Sequence, residues 1–284
     1  MTPLRAAWRS LRALLHVLGG LWTLRRRFDR LSPAQRQGLV QAWSRQLLVI
    51  MGVELRVCGT PPAAGPLLVV ANHISWLDIM VMNAAGPTRF VSKSDVKHWP
   101  LLGALISGSG ALFIERENRR DAMRVVHHMA DALRQGDVVA VFPEGTTGNG
   151  QGVLPFHANL LQAAVSAPAP VQPVGLAYVD DRTGQRSEVP VYAGDTTLVA
   201  SLWRTLGASG LQAVVSYGEV QQPQGQDRRT WAVGLHSAVS ALLVPGNGAS
   251  AEHLTGAGAG GARADAGCTA VAGGATAAAG GVHG

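Results

Sequence analysis

The chain has 284 residues, 47% hydrophobic and only 15% charged, with a net charge of +6. Ten arginines against Asp29 and Glu54 give residues 1–60 a local charge of +8, which leaves the remainder at −2. This asymmetry argues against a nucleic-acid binder and for an anionic membrane surface as partner, because the arginines flank Leu and Trp instead of forming a polar basic face. The two cysteines, Cys58 and Cys268, lack metal-ligand spacing. No metal site and no disulfide framework are expected, which fits a reducing compartment.

Residues 1–28 alternate Arg with Leu and Trp. The apolar stretch from Ala13 to Leu24 is broken by His16 and Thr23 and falls short of the ~20 residues that span a bilayer. No small-residue cleavage site precedes Arg25-Arg26-Arg27, so a signal peptide fits poorly. An interfacial helix is expected, with Trp at headgroup depth and Arg on phosphates, or else a helix packed on the protein's own core. Ser32-Pro33 opens a second helix that stops at Gly52. A short strand over Val53–Val57 follows, then a loop marked by Pro61, Pro62, Gly65 and Pro66.

Leu67 to Ala71 reads as a short buried strand, and Asn72-His73-Ile74-Ser75-Trp76-Leu77-Asp78 follows it. A polar cluster at a strand end is where α/β folds place chemistry. On one continuous helix, residues five apart sit roughly 140° around the axis, so His73 and Asp78 would not meet. They meet if His73 lies in the strand-to-helix turn and Asp78 in the first helical turn. Asp78 then accepts from one imidazole nitrogen and leaves the other as a base. The plainer alternative is a capped helix start with a core Trp.

Further strands are expected at Arg89–Ser92, Ala111–Ile114, Val138–Phe142, 171–178, Val189–Tyr192 and Leu211–Tyr217. Helices are expected to about Ala85, at Trp99–Gly103, over Asn118–Gln135, and at 157–167, 198–206 and 229–243. The alternation argues for an α/β fold with a mostly parallel or mixed sheet flanked by helices, preceded by an N-terminal helical pair. Three regions result: residues 1–52, a membrane-associating helical pair; 53–244, the α/β domain; and 245–284, a flexible Gly/Ala-rich tail with no role in chemistry.

Three more stretches join the first. Gly110 to Arg116 ends a strand in charge, Phe142-Pro143-Glu144-Gly145-Thr146 ends another in a carboxylate on a turn, and Val171-Gln172-Pro173-Val174 places Pro in an apolar run. With these four blocks in order, the sequence resembles the glycerolipid acyltransferases, in particular the bacterial 1-acyl-glycerol-3-phosphate acyltransferases, over roughly residues 40–220. The resemblance implies transfer of a fatty acyl group from a thioester donor, acyl-CoA or acyl-carrier protein, to a membrane lipid acceptor, without a cofactor. The implied product is phosphatidic acid, and the implied place is the cytoplasmic face of the inner membrane. His73 matches the family's general base and Asp78 its partner. Arg116, Glu144, Gly145 and Thr146 match the stretches associated with holding the acceptor.

The chemistry of the residues agrees. A hydroxyl is a poor nucleophile at neutral pH, and a neutral His takes its proton as it attacks the thioester. Ser75, two residues on in an extended chain, points the other way and is not expected to be a nucleophile. Arg116 offers a planar fork for phosphate, or a surface ion pair with Glu115 or Glu117. Glu144 accepts from an acceptor hydroxyl, from Arg116 or from its own turn. Lys93 and Lys97 line the groove or are solvated loop residues. His127-His128 is expected to be structural.

The family's third block usually continues with Arg, where this chain has Thr147. That departure brings in a second acceptor, the zwitterionic lyso-ornithine lipid. A non-catalytic lipid-binding surface protein, and a thioesterase with water as acceptor, are the readings from other classes.

Overall fold

The computed structural model describes residues 2–93, 103–105, 111–114, 119–223, 225, 227–243 and 268–271. In chain order, α1 (Pro3–Arg27) and α2 (Pro33–Met51) precede β1 (Val53–Cys58), β2 (Leu67–Ala71), α3 (Asp78–Ala85), β3 (Arg89–Lys93) and β4 (Leu112–Ile114). Then come α4 (Arg119–Arg134), β5 (Val138–Val141), α5 (Gln162–Ser166), β6 (Val171–Asp180), α6 (Leu198–Gly207), β7 (Leu211–Tyr217), α7 (Arg228–Leu242) and β8 (Cys268–Ala270). The strands form one sheet in the order β4-β3-β5-β2-β6-β7-β1-β8. All neighbours run parallel except β6 with β7 and β1 with β8.

β2 lies between β5 and β6 and is buried throughout, as a strand covered on both faces must be. Its side chains alternate between two apolar layers. Leu67, Val69 and Ala71 join the layer built with Ala6 of α1, Leu48 of α2, Met82 of α3 and Leu206 of α6. Leu68 and Val70 join the layer of Met129 from α4, Ala163 from α5 and Trp231 and Leu235 from α7. The helical pair is therefore part of one face of the α/β body.

The α2 ends follow their capping residues. Ser32 and Gln35 make a reciprocal capping box with Pro33 at the first helical position, and Gly52 closes the helix at φ 71°. α1 is fastened to α2 by a two-way clasp. The His16 imidazole hydrogen-bonds the Trp43 carbonyl at 3.0 Å, and Trp43 Nε1 donates to the His16 carbonyl at 3.3 Å. The two rings stack with centroids 4.9 Å apart. Gly20 allows this approach, since a Cβ there would lie 2.6 Å from Trp43 Nε1.

Three expectations are corrected. Val189–Tyr192 is not a strand: Pro190 lacks an N–H for a ladder, and its carbonyl is taken by the Ser75 and Ser201 hydroxyls. Cys58 and Cys268 are joined in a disulfide. Their separation of 210 residues leaves no local spacing for sequence to reveal. In the 245–284 tail, Cys268–Ala270 pairs antiparallel with β1 as an edge strand. The helical turn expected at Trp99–Gly103 lies largely outside the described residues.

Candidate active site

The site lies at the C-terminal ends of the parallel strands β2 and β5, where α/β sheets leave room for ligands. The chain leaves β2 at Asn72, whose side chain takes the place of another ladder step. Asn72 Nδ2 donates to the Leu176 carbonyl at 3.0 Å and its Oδ1 accepts from Leu176 N at 2.7 Å, tying the end of β2 to β6. The turn then bends back so that Asp78, at the start of α3, faces His73.

Asp78 is completely buried and accepts at both carboxylate oxygens. Oδ2 takes His73 Nδ1–H at 2.8 Å and the backbone N–H groups of Ile74 and Ser75 at 2.7 and 2.9 Å. Oδ1 takes the Tyr178 hydroxyl at 2.7 Å. The carboxylate thus shapes its own turn while holding the imidazole, and His73 Nε2 keeps its lone pair. Burial, then the charge of Asp78 and its hydrogen bond, push the Tyr178 phenol well above its ordinary pKa, so it stays a donor.

The imidazole is fixed on its flat side as well. It stacks on Phe142 with centroids 4.0 Å apart and planes 5° from parallel, and Phe90 backs Phe142 at 5.6 Å. The side chain remains 19% exposed, enough for one edge to meet a substrate.

Phe142 to Gly148 wraps against the main chain of the His73 turn through the Glu144 carboxylate and the Gly148 N–H. Glu144 Oε1 accepts from His73 N at 2.8 Å, Oε2 accepts from Leu154 N at 3.2 Å, and Gly148 N donates to the His73 carbonyl at 2.7 Å. Among the described residues, the Glu144 carboxylate thus meets the backbone of His73 and of Leu154. Burial raises its pKa, opposed by the two backbone hydrogen bonds. Gly145 has φ 70°, and a Cβ there would lie 3.1 Å from the His157 ring. A side chain at 145 would strain the backbone and press the His157 ring by a few tenths of an ångström.

Ser75 is buried, and its hydroxyl donates to the Pro190 carbonyl at 2.6 Å, which makes it a turn anchor. Lys93 ends β3, but its side chain lies outside the described residues, as do Lys97 and Arg116. His127 and His128 lie on α4. Among the described residues no group of three or more His, Cys, Asp or Glu could hold a metal ion.

A cavity of about 610 Å³ opens beside His73. Gly145, Thr146 and Thr147 line its polar end. The remainder is mostly apolar, walled by Gly20 and Leu24 of α1, Trp43 and Leu47 of α2, Ile79 and Met80 of α3, and Phe90 and Phe142, with Thr23, Ser44, Asn83 and Tyr192 as its polar members. No Lys or Arg lines it among the described residues.

Sequence reasoning missed Tyr178, Asn72 and the Phe142 stack. Asn72 and Phe142 stand in the quoted motifs without these roles, and a tyrosine in the buried run of β6 needs a partner for its hydroxyl.

Residues 54–177 match the family model described as Acyltransferase. A 1-acyl-sn-glycerol-3-phosphate acyltransferase of Neisseria gonorrhoeae is 39% identical over 187 residues, covering 65% of this chain and 72% of that one. A lyso-ornithine lipid O-acyltransferase of Pseudomonas aeruginosa is 36% identical over 251 residues, covering 86% of this chain and 95% of that one. The crystal structure of the 1-acyl-sn-glycerophosphate (LPA) acyltransferase from Thermotoga maritima shares the fold, with a TM-score of 0.55 at 19% identity, over 82% of this chain and 97% of that one.

Proposed function

The chain belongs to the glycerolipid acyltransferase family, and on that footing we propose that it acylates the free sn-2 hydroxyl of 1-acyl-sn-glycerol-3-phosphate to give phosphatidic acid. The donor is an acyl thioester, acyl-CoA or acyl-carrier protein. The observation that carries this reading is the His73–Asp78 pair at the mouth of an apolar cavity. The acyl chain lies among Trp43, Leu47, Ile79 and Met80, which brings its thioester carbon to the exposed edge of His73.

His73 Nε2 takes the hydroxyl proton as the acceptor oxygen bonds to the thioester carbon. The tetrahedral intermediate collapses with C–S cleavage, and the imidazolium returns the proton to the departing thiolate. Asp78 keeps Nδ1 protonated and stabilises the imidazolium. No acyl-enzyme forms, because the acceptor hydroxyl is the nucleophile and the Ser75 hydroxyl is committed to Pro190.

Lyso-ornithine lipid is the second acceptor. Thr147 stands at the cavity where the family usually has Arg, no described cation lines that cavity, and a relative spanning most of this chain carries that name. Purified enzyme offered both acceptors, with His73→Ala as control, tests the proposal. Thr147→Arg extends it, since a charge-assisted bond of about 1.5–3 kcal/mol would improve turnover of the phosphate acceptor and not of the zwitterionic one. Turnover of lyso-ornithine lipid with none of lysophosphatidic acid would replace the first acceptor by the second.

We infer that the reaction takes place at a membrane surface, with the inner membrane as the proposed site. Among the described residues no helix is long and apolar enough to cross a membrane. α1 instead exposes Leu4, Trp8, Leu15 and Trp22 on a helix that carries arginines and no acidic residue, and lies in the interface with its apolar side chains in the acyl region.

A further inference from the structure

α6 joins three parts of the molecule. Its inner side holds the catalytic turn: Ser201 Oγ accepts from Trp76 Nε1 at 3.1 Å and donates to the Pro190 carbonyl, which also anchors Ser75. Its C-terminal end is held by α1, where Arg9 Nη1 donates to the Leu206 and Ala208 carbonyls at 3.1 and 2.6 Å. Its first residue, Leu198, lines the cavity together with Gly20 and Leu24 of α1.

The opposite side of α6 is apolar and open. Val199 is 76% exposed, Leu202 37% and Trp203 46%. Val199 and Trp203 are four residues apart and share one stripe, roughly 160° from Ser201 around the axis. A folded protein rarely leaves a Trp, a Leu and a Val together in water without a use for them.

We propose that α6 is a second membrane-contact element beside α1, and that its occupant is the interface of an anionic phospholipid bilayer. Charge selects that occupant. α1 carries Arg5, Arg12, Arg25, Arg26 and Arg27 exposed and has no acidic residue, and α6 has Arg204 and none. A symmetric contact with a second copy would bring these arginines against their own equivalents, whereas lipid phosphates neutralise them. The surface is also continuous with the cavity, since both helices wall it. Through Ser201 and Trp76, the depth of Val199 and Trp203 in the interface sets the height of His73 above the acyl chains. That consequence rests on the acyl-transfer reading; the membrane contact itself does not.

The test is the full chain carrying Val199→Ser, Leu202→Ser and Trp203→Ser, all at exposed positions. Partition onto vesicles of phosphatidylglycerol and phosphatidylcholine should fall by about tenfold or more, with the circular dichroism spectrum at the assay temperature unchanged. kcat/KM on a monomeric short-chain acceptor should hold, while kcat/KM on acceptor embedded in the vesicles drops. In Trp203→Phe, partition should persist while quenching of tryptophan fluorescence by brominated lipid decreases. Wild-type partition by the triple variant overturns the proposal. So does a vesicle-free dimer of the wild type that the variant abolishes, since the occupant would then be a second copy. Absence of turnover on any acceptor counts against the acyl-transfer reading alone, and the partition result still decides α6.

Discussion

Replacing Glu144 separates a residue that holds the base from one that holds the acceptor. Its two oxygens accept from His73 N at 2.8 Å and Leu154 N at 3.2 Å, and the residue is 4% exposed. Glutamine keeps the shape but has one carbonyl oxygen and one NH₂ group. The carbonyl goes to the shorter contact at His73, so the amide NH₂ is turned toward the N–H of Leu154. One buried donor is then left without an acceptor, at a cost of about 1–3 kcal/mol. Glu144→Ala leaves both donors unpaired, and the second lies on the base itself. Glu144→Gln should therefore lower the melting temperature and reduce kcat by no more than about tenfold, since 1.4 kcal/mol is one decade. Glu144→Ala should reduce kcat by a further decade or so, with acceptor KM nearly constant in both. Thiol release from the acyl donor, followed across a range of acceptor concentrations, gives both parameters. A raised acceptor KM with unchanged kcat would refute this reasoning and make Glu144 an acceptor contact.

Three more perturbations probe the same network. Tyr178→Phe removes the donor to Asp78 Oδ1, and should cut kcat several-fold to about a hundredfold from a loss of about 1–3 kcal/mol, with donor KM unaltered. His73→Ala should lose about 10²–10⁴-fold in kcat with an unchanged circular dichroism spectrum; near-normal turnover would remove the general base. Burial holds the His16 pKa below its ordinary 6.5, so stability is fully present above that value and declines as pH falls through it. Urea unfolding of the wild type between pH 7.5 and 5.5 (ordinary imidazole range), compared with His16→Gln, should show that slope only in the wild type.

The site was legible where residue type and spacing together constrain geometry. A five-residue interval from His73 to Asp78 after an apolar strand has few ways to close, and the turn at the end of β2 is one of them. Glu144 was visible as a carboxylate at a strand end, but its partner was not, because the donor is a backbone N–H 71 residues away. Tyr178 lies 100 residues from Asp78 and meets it only because β6 pairs with β2. Nothing local marks such a contact. Val189–Tyr192 misled for the converse reason: its apolar alternation serves core packing as a loop, with Val189 and Val191 against the first apolar layer. The Cys58–Cys268 bond and the β8 pairing join segments at opposite ends of the chain, where composition pointed to a free tail.

The division of labour among the acidic groups bears on the acceptor. Asp78 and Glu144 are both buried, and every hydrogen bond described for them goes to protein donors. They orient His73 from opposite sides, one through the imidazole and one through the backbone. For Glu144 these backbone contacts give a positioning role beside the acceptor-holding role that the sequence resemblance implies. On the proposed reading, groups that face the cavity can also discriminate a phosphate from an ornithine headgroup, Thr146 and Thr147 near His73 among them. A threonine hydroxyl donates one hydrogen bond to a phosphate or a carboxylate with little preference, whereas a guanidinium in its place would add charge and a second donor. On the proposed reading, threonine at 147 favours neither headgroup strongly. The ratio of kcat/KM for the two acceptors should accordingly lie closer to unity in the wild type than in Thr147→Arg, and an equal ratio in both would place the discrimination elsewhere.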